Sequence, residues 1–188
     1  MMYLWVLLGI VAVIVLWLIA TFNGLISLKN RTQEAWSDID VQLKRRYDLI
    51  PNLVKTVQGY AKHEKEIFEN VTKARAEALG AKGVKEQQKA ENNLSEALKS
   101  VFAVAENYPQ LRATENFQQL QAELTDTEDK IEASRRFYNG NVRDFNTKTQ
   151  VFPNNMVAGM LGFKSFDLFE IEESQKAAAK DAPKVDFN

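Results

Sequence analysis

Cysteine is absent, histidine occurs once, proline four times and glycine eight times in a chain of 188 residues. Without cysteine there are no disulfides, thiolate metal sites or cysteine nucleophiles, and the redox compartment is left undetermined. The lone His63 lies in "HEKEI" (63–67), which lacks the second histidine of a zinc-protease helix. No Glu-x-x-His is present, so a di-metal site of the helical-bundle kind cannot be assembled. Phosphate loops, dinucleotide turns and nucleophile elbows are also missing. The scarcity of proline and glycine argues against loop-rich and β-rich folds and favours long helices. Charge of either sign is not in excess, with 24 basic against 25 acidic residues, which removes a global polycation for nucleic acid.

Charge is missing altogether from Met1 to Leu28, and "YLWVLLGIVAVIVLWLIATF" (3–22) is almost wholly apolar. Twenty helical residues span ~30 Å, the thickness of a bilayer's hydrocarbon core. A cleaved signal peptide would want a basic start, a shorter apolar core and a small-x-small junction. This chain offers none of the three, so residues 1–24 are expected to be an uncleaved transmembrane anchor. Lys29 and Arg31 follow the span, while its other end offers only the α-amino group. The positive-inside rule then places the remainder on the cytoplasmic side of the membrane.

Beyond the span, Leu25, Leu28, Trp36, Ile39, Leu43, Tyr47, Ile50, Val54, Val57, Ala61, Phe68 and Val71 keep a three-four rhythm. This predicts one helix continuing from the membrane to about Leu79, stopped by "GAKG" (80–83). A second helix is expected over 84–107, ended by "NYP" (107–109), and a third over about 110–152. In the third, Phe117, Leu120, Leu124, Ile131, Tyr138, Phe145 and Phe152 form a heptad-like seam interrupted by Thr127, Ser134, Asn141 and Lys148. Those polar positions are expected to hydrogen-bond across a bundle. Pro153 closes the helix, and Met156, Val157, Met160, Leu161, Phe163, Phe166, Leu168 and Phe169 follow as a short fourth helix or an interaction patch for a partner or the membrane. The expected fold is all-α: a transmembrane helix continuing into an elongated antiparallel up-and-down bundle of three long helices plus a short fourth, over 25–173. Residues 174–188 read as a disordered tail.

Three local features invite a chemical reading. Lys44-Arg45-Arg46 could meet lipid headgroups, but Lys44 stands ~30 Å beyond Phe22 on a straight helix, and surface attraction fades within ~8 Å. Pairing with Asp38, Asp40 or Asp48 is the more economical expectation. The stretch Glu123, Asp126, Glu128, Asp129, Glu132 reads as a solvated face balanced by Lys130, Arg135 and Arg136. Pro51, inside "KRRYDLIPNLVKTV" (44–57), costs an interior helix ~3 kcal/mol by removing a donor and crowding the carbonyl four residues back. Because the apolar phase runs through it undisturbed, a kinked but continuous helix is predicted, with water satisfying the carbonyl of Tyr47. No catalytic, metal or cofactor site is expected.

Three blocks together resemble the LemA family of bacterial membrane proteins. They are "WSDIDVQLKRRYDLIPNLVKTVQGYAKHE" (36–64), "YPQLRATENFQQLQAELTDTEDKIEASRRFYNGNVRDFNTKTQVFP" (108–153) and "AGMLGF" (158–163). The first block carries Trp36, Asp38, Asp40, Leu43, Arg46, Tyr47, Pro51, Asn52, Leu53 and Tyr60 as motif positions. The second carries Pro109, Phe117, Leu120, Leu124, Glu128, Ile131, Arg135, Tyr138, Asn139, Asn146, Phe152 and Pro153. The resemblance implies a single-span helical bundle without established catalytic residues or cofactors. From the residues themselves, the anchor, the projecting helices and the 156–169 segment lead us to expect a non-enzymatic envelope scaffold or adaptor that self-assembles. Its alternatives are a membrane-remodelling protein that inserts an apolar segment, or an accessory subunit of a membrane-embedded zinc metalloprotease. One branch of the family takes part in building magnetosome membranes. No nucleic-acid partner is implied.

Overall fold

The computed structural model describes residues 1–170. Among them are six helices: α1 (Met2–Gln58), α2 (Lys65–Gly80), α3 (Gly83–Glu106), α4 (Pro109–Arg112), α5 (Glu115–Gln150) and α6 (Asn154–Met160). The all-α expectation holds, but three long helices and a short fourth become six. The proposed tail, 174–188, lies outside the described residues.

Two expected helices are divided. The first stops at Gln58, where the amides of Tyr60 and Ala61 both turn back onto the carbonyl of Val57. Between Ala61 and Phe68 the sequence offers mostly polar side chains, so one turn of helix there would have little to bury. The third is interrupted at Ala113–Thr114, where the Thr114 hydroxyl donates to the carbonyl of Leu111 at 2.7 Å. A threonine that bonds its own backbone competes with helix propagation, and α5 restarts immediately after it. The stop at 80–83 falls where expected, with Gly83 at φ +78°, a conformation that favours glycine.

Contacts divide the described residues into two compact units, one of Met1–Leu43 with Asp129–Leu168, the other of Lys44–Glu128 with Phe169 and Glu170. In the first unit, α1 and α5 run antiparallel: the rings of Trp36 and Tyr138 meet edge to face at 5.2 Å, and Lys148 reaches Gly24. Leu25, Ala35, Ile39 and Leu43 of α1 and Ile131, Tyr138, Val142 and Phe145 of α5 are all buried. The block "AGMLGF" is a helix stop. The amide of Phe163 bonds the carbonyl of Ala158 and that of Gly162 bonds Gly159, with Gly162 at φ +71°. The chain then returns along α5, where Phe163 and Phe166 meet Phe145 edge to face at 6.1 and 5.0 Å. Asn146 clasps the Phe166 peptide there, its amide donating to the carbonyl at 2.9 Å and its oxygen accepting from the N–H at 3.0 Å.

In the second unit, α2 packs against α3, with Phe68, Val71, Ala74 and Ala78 buried on one and Ala90, Leu94, Leu98 and Val101 on the other. The C-terminal part of α1 supplies Tyr47, Ile50, Leu53, Val54 and Val57 to this core, and α5 supplies Phe117 and Leu124.

Candidate functional site

The second unit encloses a polar cluster. Leu43, Arg46 and Ile50 follow the apolar spacing of α1, so the helix carries Arg46 inward with its hydrophobic face. Gln87 and Glu91 likewise share the face of Leu94 and Leu98 on α3. Glu91 is wholly buried and Arg46 is 4% exposed. One guanidinium nitrogen of Arg46 lies 3.3 Å from the Glu91 carboxylate and 3.2 Å from that of Glu128, and the other donates to Ser95 at 2.8 Å. The Tyr47 hydroxyl donates to Glu91, and the Gln87 amide reaches the Tyr47 hydroxyl at 2.7 Å and the Glu91 carboxylate at 3.0 Å.

Burial pushes the Glu91 carboxyl above its ordinary value, against the lowering effects of Tyr47, Arg46 and Gln87. Burial also raises the Tyr47 hydroxyl, reinforced by the neighbouring Glu91 charge. Every polar group named here is met by another side chain. This is the condition under which a buried ion pair is tolerated, and it ties α1 to α3 in one register.

Arg45 and Arg46 of the basic run thus find partners on other helices rather than Asp38, Asp40 or Asp48. Arg45 pairs with Asp126 at 2.9 Å. The acidic stretch is largely exposed, and Glu132 takes the expected counter-charge Arg136 at 3.0 Å, but Asp126 and Glu128 also answer α1. Pro51 lies within continuous helix, and the carbonyl four residues before it is not left to water. Arg75 of α2 donates its Nε to the Tyr47 carbonyl at 2.7 Å. Sequence reading missed Arg75 because nothing local marks a side chain that serves a carbonyl on another helix.

Two positions of the polar seam of α5 also behave differently from expectation, while Lys148 does reach across to α1. Thr127 and Asn141 bond carbonyls of their own helix, Glu123 at 2.7 Å and Phe137 at 3.0 Å. Tyr138 donates to the carbonyl of Asp167 at 2.9 Å, and burial raises its hydroxyl to about 12. Of the other motif positions, Leu43, Leu53, Phe117, Leu124 and Ile131 are buried, and Leu120, Arg135, Asn139 and Pro153 are half-buried. Asp38, Asp40, Asn52, Tyr60, Pro109 and Phe152 are exposed, with partial burial still raising the Asp40 carboxyl. These positions therefore do not converge on one point.

The patch at 156–169 divides in the same way. Val157 and Phe169 are buried and Phe163 and Phe166 half-buried against the bundle, whereas Met156, Met160 and Leu161 are exposed. In the first unit, Val157, Met160 and Leu161 border a cavity of about 350 Å³ with Leu18, Ile19 and Phe22 of α1. The N-terminal part of α1 is the one described helix long and apolar enough to cross a membrane, and it is almost entirely uncovered by protein. Leaving each such side chain in water would cost about 1.5–3 kcal/mol, so a bilayer is the solvent that accommodates it. Among the described residues no group of three or more histidine, cysteine, aspartate or glutamate side chains is placed to hold a metal ion.

Magnetosome protein MamQ 2 of Paramagnetospirillum magneticum is 26% identical over 179 aligned residues, covering 81% of this chain and 66% of that protein. MamQ of Magnetospirillum gryphiswaldense is 25% identical over 178, covering 81% and 65%. The chain thus spans just under two thirds of the length of these magnetosome relatives. Protein LemA of Metamycoplasma hominis is 28% identical over 158 residues, covering 82% of this chain and 71% of that protein. A family model described as the LemA family matches residues 35–187. The chain belongs to the LemA family.

Proposed function

We propose that this single-span, non-enzymatic helical membrane protein of the LemA family works as a scaffold or adaptor at the bacterial envelope. One observation carries the reading: the membrane span and the first bundle helix are a single helix, α1, with no linker between them. A bundle joined in this way is held at the membrane with little freedom, and it presents helical surfaces rather than a reactive cleft. The anchor then comprises residues 1–24 and the bundle 25–173, with an antiparallel up-and-down order. The bundle faces the cytoplasm from the inner membrane, as Lys29 and Arg31 after the span support. Self-assembly belongs to the same reading, as does an accessory role beside a membrane-embedded metalloprotease. No nucleic acid takes part.

Proximity labelling from the full anchored chain tests the reading. Discrete neighbours that depend on residues 25–173 are expected. A pattern identical to that of the span alone would refute a scaffold. A second reading, membrane remodelling, is favoured by the exposed Met156, Met160 and Leu161 and by the magnetosome proteins among the relatives. It predicts that reconstituting the full chain changes vesicle size or curvature, and unchanged vesicles would exclude it.

A further inference from the structure

Residues 149–163 carry no charged side chain, and Lys148 and Lys164 stand at the two ends of this stretch. Its helix, α6, borders the cavity with Leu18, Ile19 and Phe22, which belong to the last turns of the apolar span. Met160 is 88% exposed, although it sits beside the most apolar segment of the chain. In water, a methionine, a leucine and Phe152 left open together would be an aggregation hazard.

The depth of these groups follows from the helix that they touch. If the hydrocarbon boundary lies at Phe22, Leu18 is four residues inside it, or ~6 Å at 1.5 Å per residue. Side chains that share a cavity with both residues occupy the same layer, and interfacial helices bury their apolar faces ~5–10 Å below the headgroups. Lys148 supplies an independent marker. A Cβ built on Gly24 would stand 2.6 Å from its Nζ, so the amine packs on α1 at Gly24. That is two residues, or ~3 Å, beyond Phe22 on the polar side. A lysine held there has its charge among headgroups while its stem runs along apolar surface.

We propose that α6 is a lipid-contacting element, and that the cavity between it and the end of the span seats phospholipid acyl chains of the adjoining leaflet. At about 350 Å³ the cavity falls within the ~300–1,000 Å³ range of small-ligand sites. Continuity with the span identifies the occupant, since acyl chains are the medium that already surrounds Leu18, Ile19 and Phe22. The proposal requires only the membrane anchor and stands whether or not the protein is a scaffold.

The absence of cysteine makes the test direct. Single variants Met160→Cys and Leu161→Cys of the full chain, with Phe22→Cys and Lys99→Cys as references, are spin-labelled. They are then reconstituted in phosphatidylethanolamine–phosphatidylglycerol vesicles. Collision rates with oxygen and with a water-soluble nickel chelate report depth. The labels at 160 and 161 are expected to shift toward oxygen and away from nickel, matching position 22 and opposing position 99. Nickel access equal to that at position 99 would place α6 in water and overturn the proposal. Shielding from both reagents, with spin–spin broadening, would show a second copy covering the face and overturn it equally.

Discussion

Arg75 should be worth most where Pro51 is present. Proline at 51 removes the amide that would have served the carbonyl of Tyr47, and Arg75 supplies the replacement at 2.7 Å. A hydrogen bond from a charged donor contributes about 1.5–3 kcal/mol, and the half-buried position of Arg75 points to the lower end. Arg75→Met keeps the length of the stem and removes the donor, so the loss should be about 1.5 kcal/mol. For a chain of this size that lowers Tm by about 3–6 °C. In a Pro51→Ala background the amide of residue 51 can donate to Tyr47, and the same Arg75→Met change should cost under about 0.5 kcal/mol. The coupling of about 1 kcal/mol lies within the range for residues sharing one partner.

Thermal unfolding of the full chain in detergent, followed by helical circular dichroism, would measure all four corners of the cycle. Equal losses in the two backgrounds would refute the reasoning, because Arg75 would then stabilise by packing or by general charge. A rise in Tm for Pro51→Ala is expected in either case and decides nothing alone.

Glu91→Ala should destabilise by about 3 kcal/mol, since it removes the buried partner of Arg46 and leaves it only Ser95 and the half-exposed Glu128, whereas Glu91→Gln should cost less by keeping bonds to Tyr47 and Gln87; urea midpoints separate the two. Because the folded Glu91 carboxyl lies above its ordinary value of 4.5, its stabilising share is complete below that pH and is lost as pH rises through the folded value. Tm of the wild type relative to Glu91→Gln should therefore fall as pH is raised from 4.5, and a flat or rising difference would contradict this. Asn146→Ala leaves both peptide groups of Phe166 without their partner and should cost about 2 kcal/mol. Hydrogen exchange at 163–168 should speed up in that variant.

The helix content was legible because apolar periodicity reports a buried face directly. Periodicity could not show where a helix breaks if the phase survives the break. Val57, Ala61, Phe68 and Val71 are separated by four, seven and three residues, a heptad-compatible series that persists through the turn at Gly59–Glu64. The division at Thr114 was hidden for another reason. A threonine that caps its own backbone looks the same in sequence as one on a helix surface.

The polar cluster was partly legible. Leu43–Arg46–Ile50 and Gln87–Glu91–Leu94–Leu98 are three-four spacings that place charge on an apolar face, and a charge in that position needs a buried partner of opposite sign. Pairing Arg46 with its neighbours on α1 ignores that rule. Asp38, Asp40 and Asp48 are exposed and cannot follow Arg46 into the core. Two inward-facing residues of opposite charge, one on each of two helices, are better partners than any pair on one surface. What spacing cannot supply is which helices are neighbours, so neither the pairing of Glu128 with Arg46 nor that of Arg75 with the Tyr47 carbonyl could be read from sequence. The same distinction separates the halves of the 156–169 patch. Phe163 and Phe166 are held by Phe145 and Asn146 of α5, contacts set by the return of the chain, while Met160 keeps its exposure beside the span. Composition alone could not tell the packed half from the open half, because both are equally apolar. The glycine at 162 ends α6 and directs the following aromatics toward α5 instead of extending the helix.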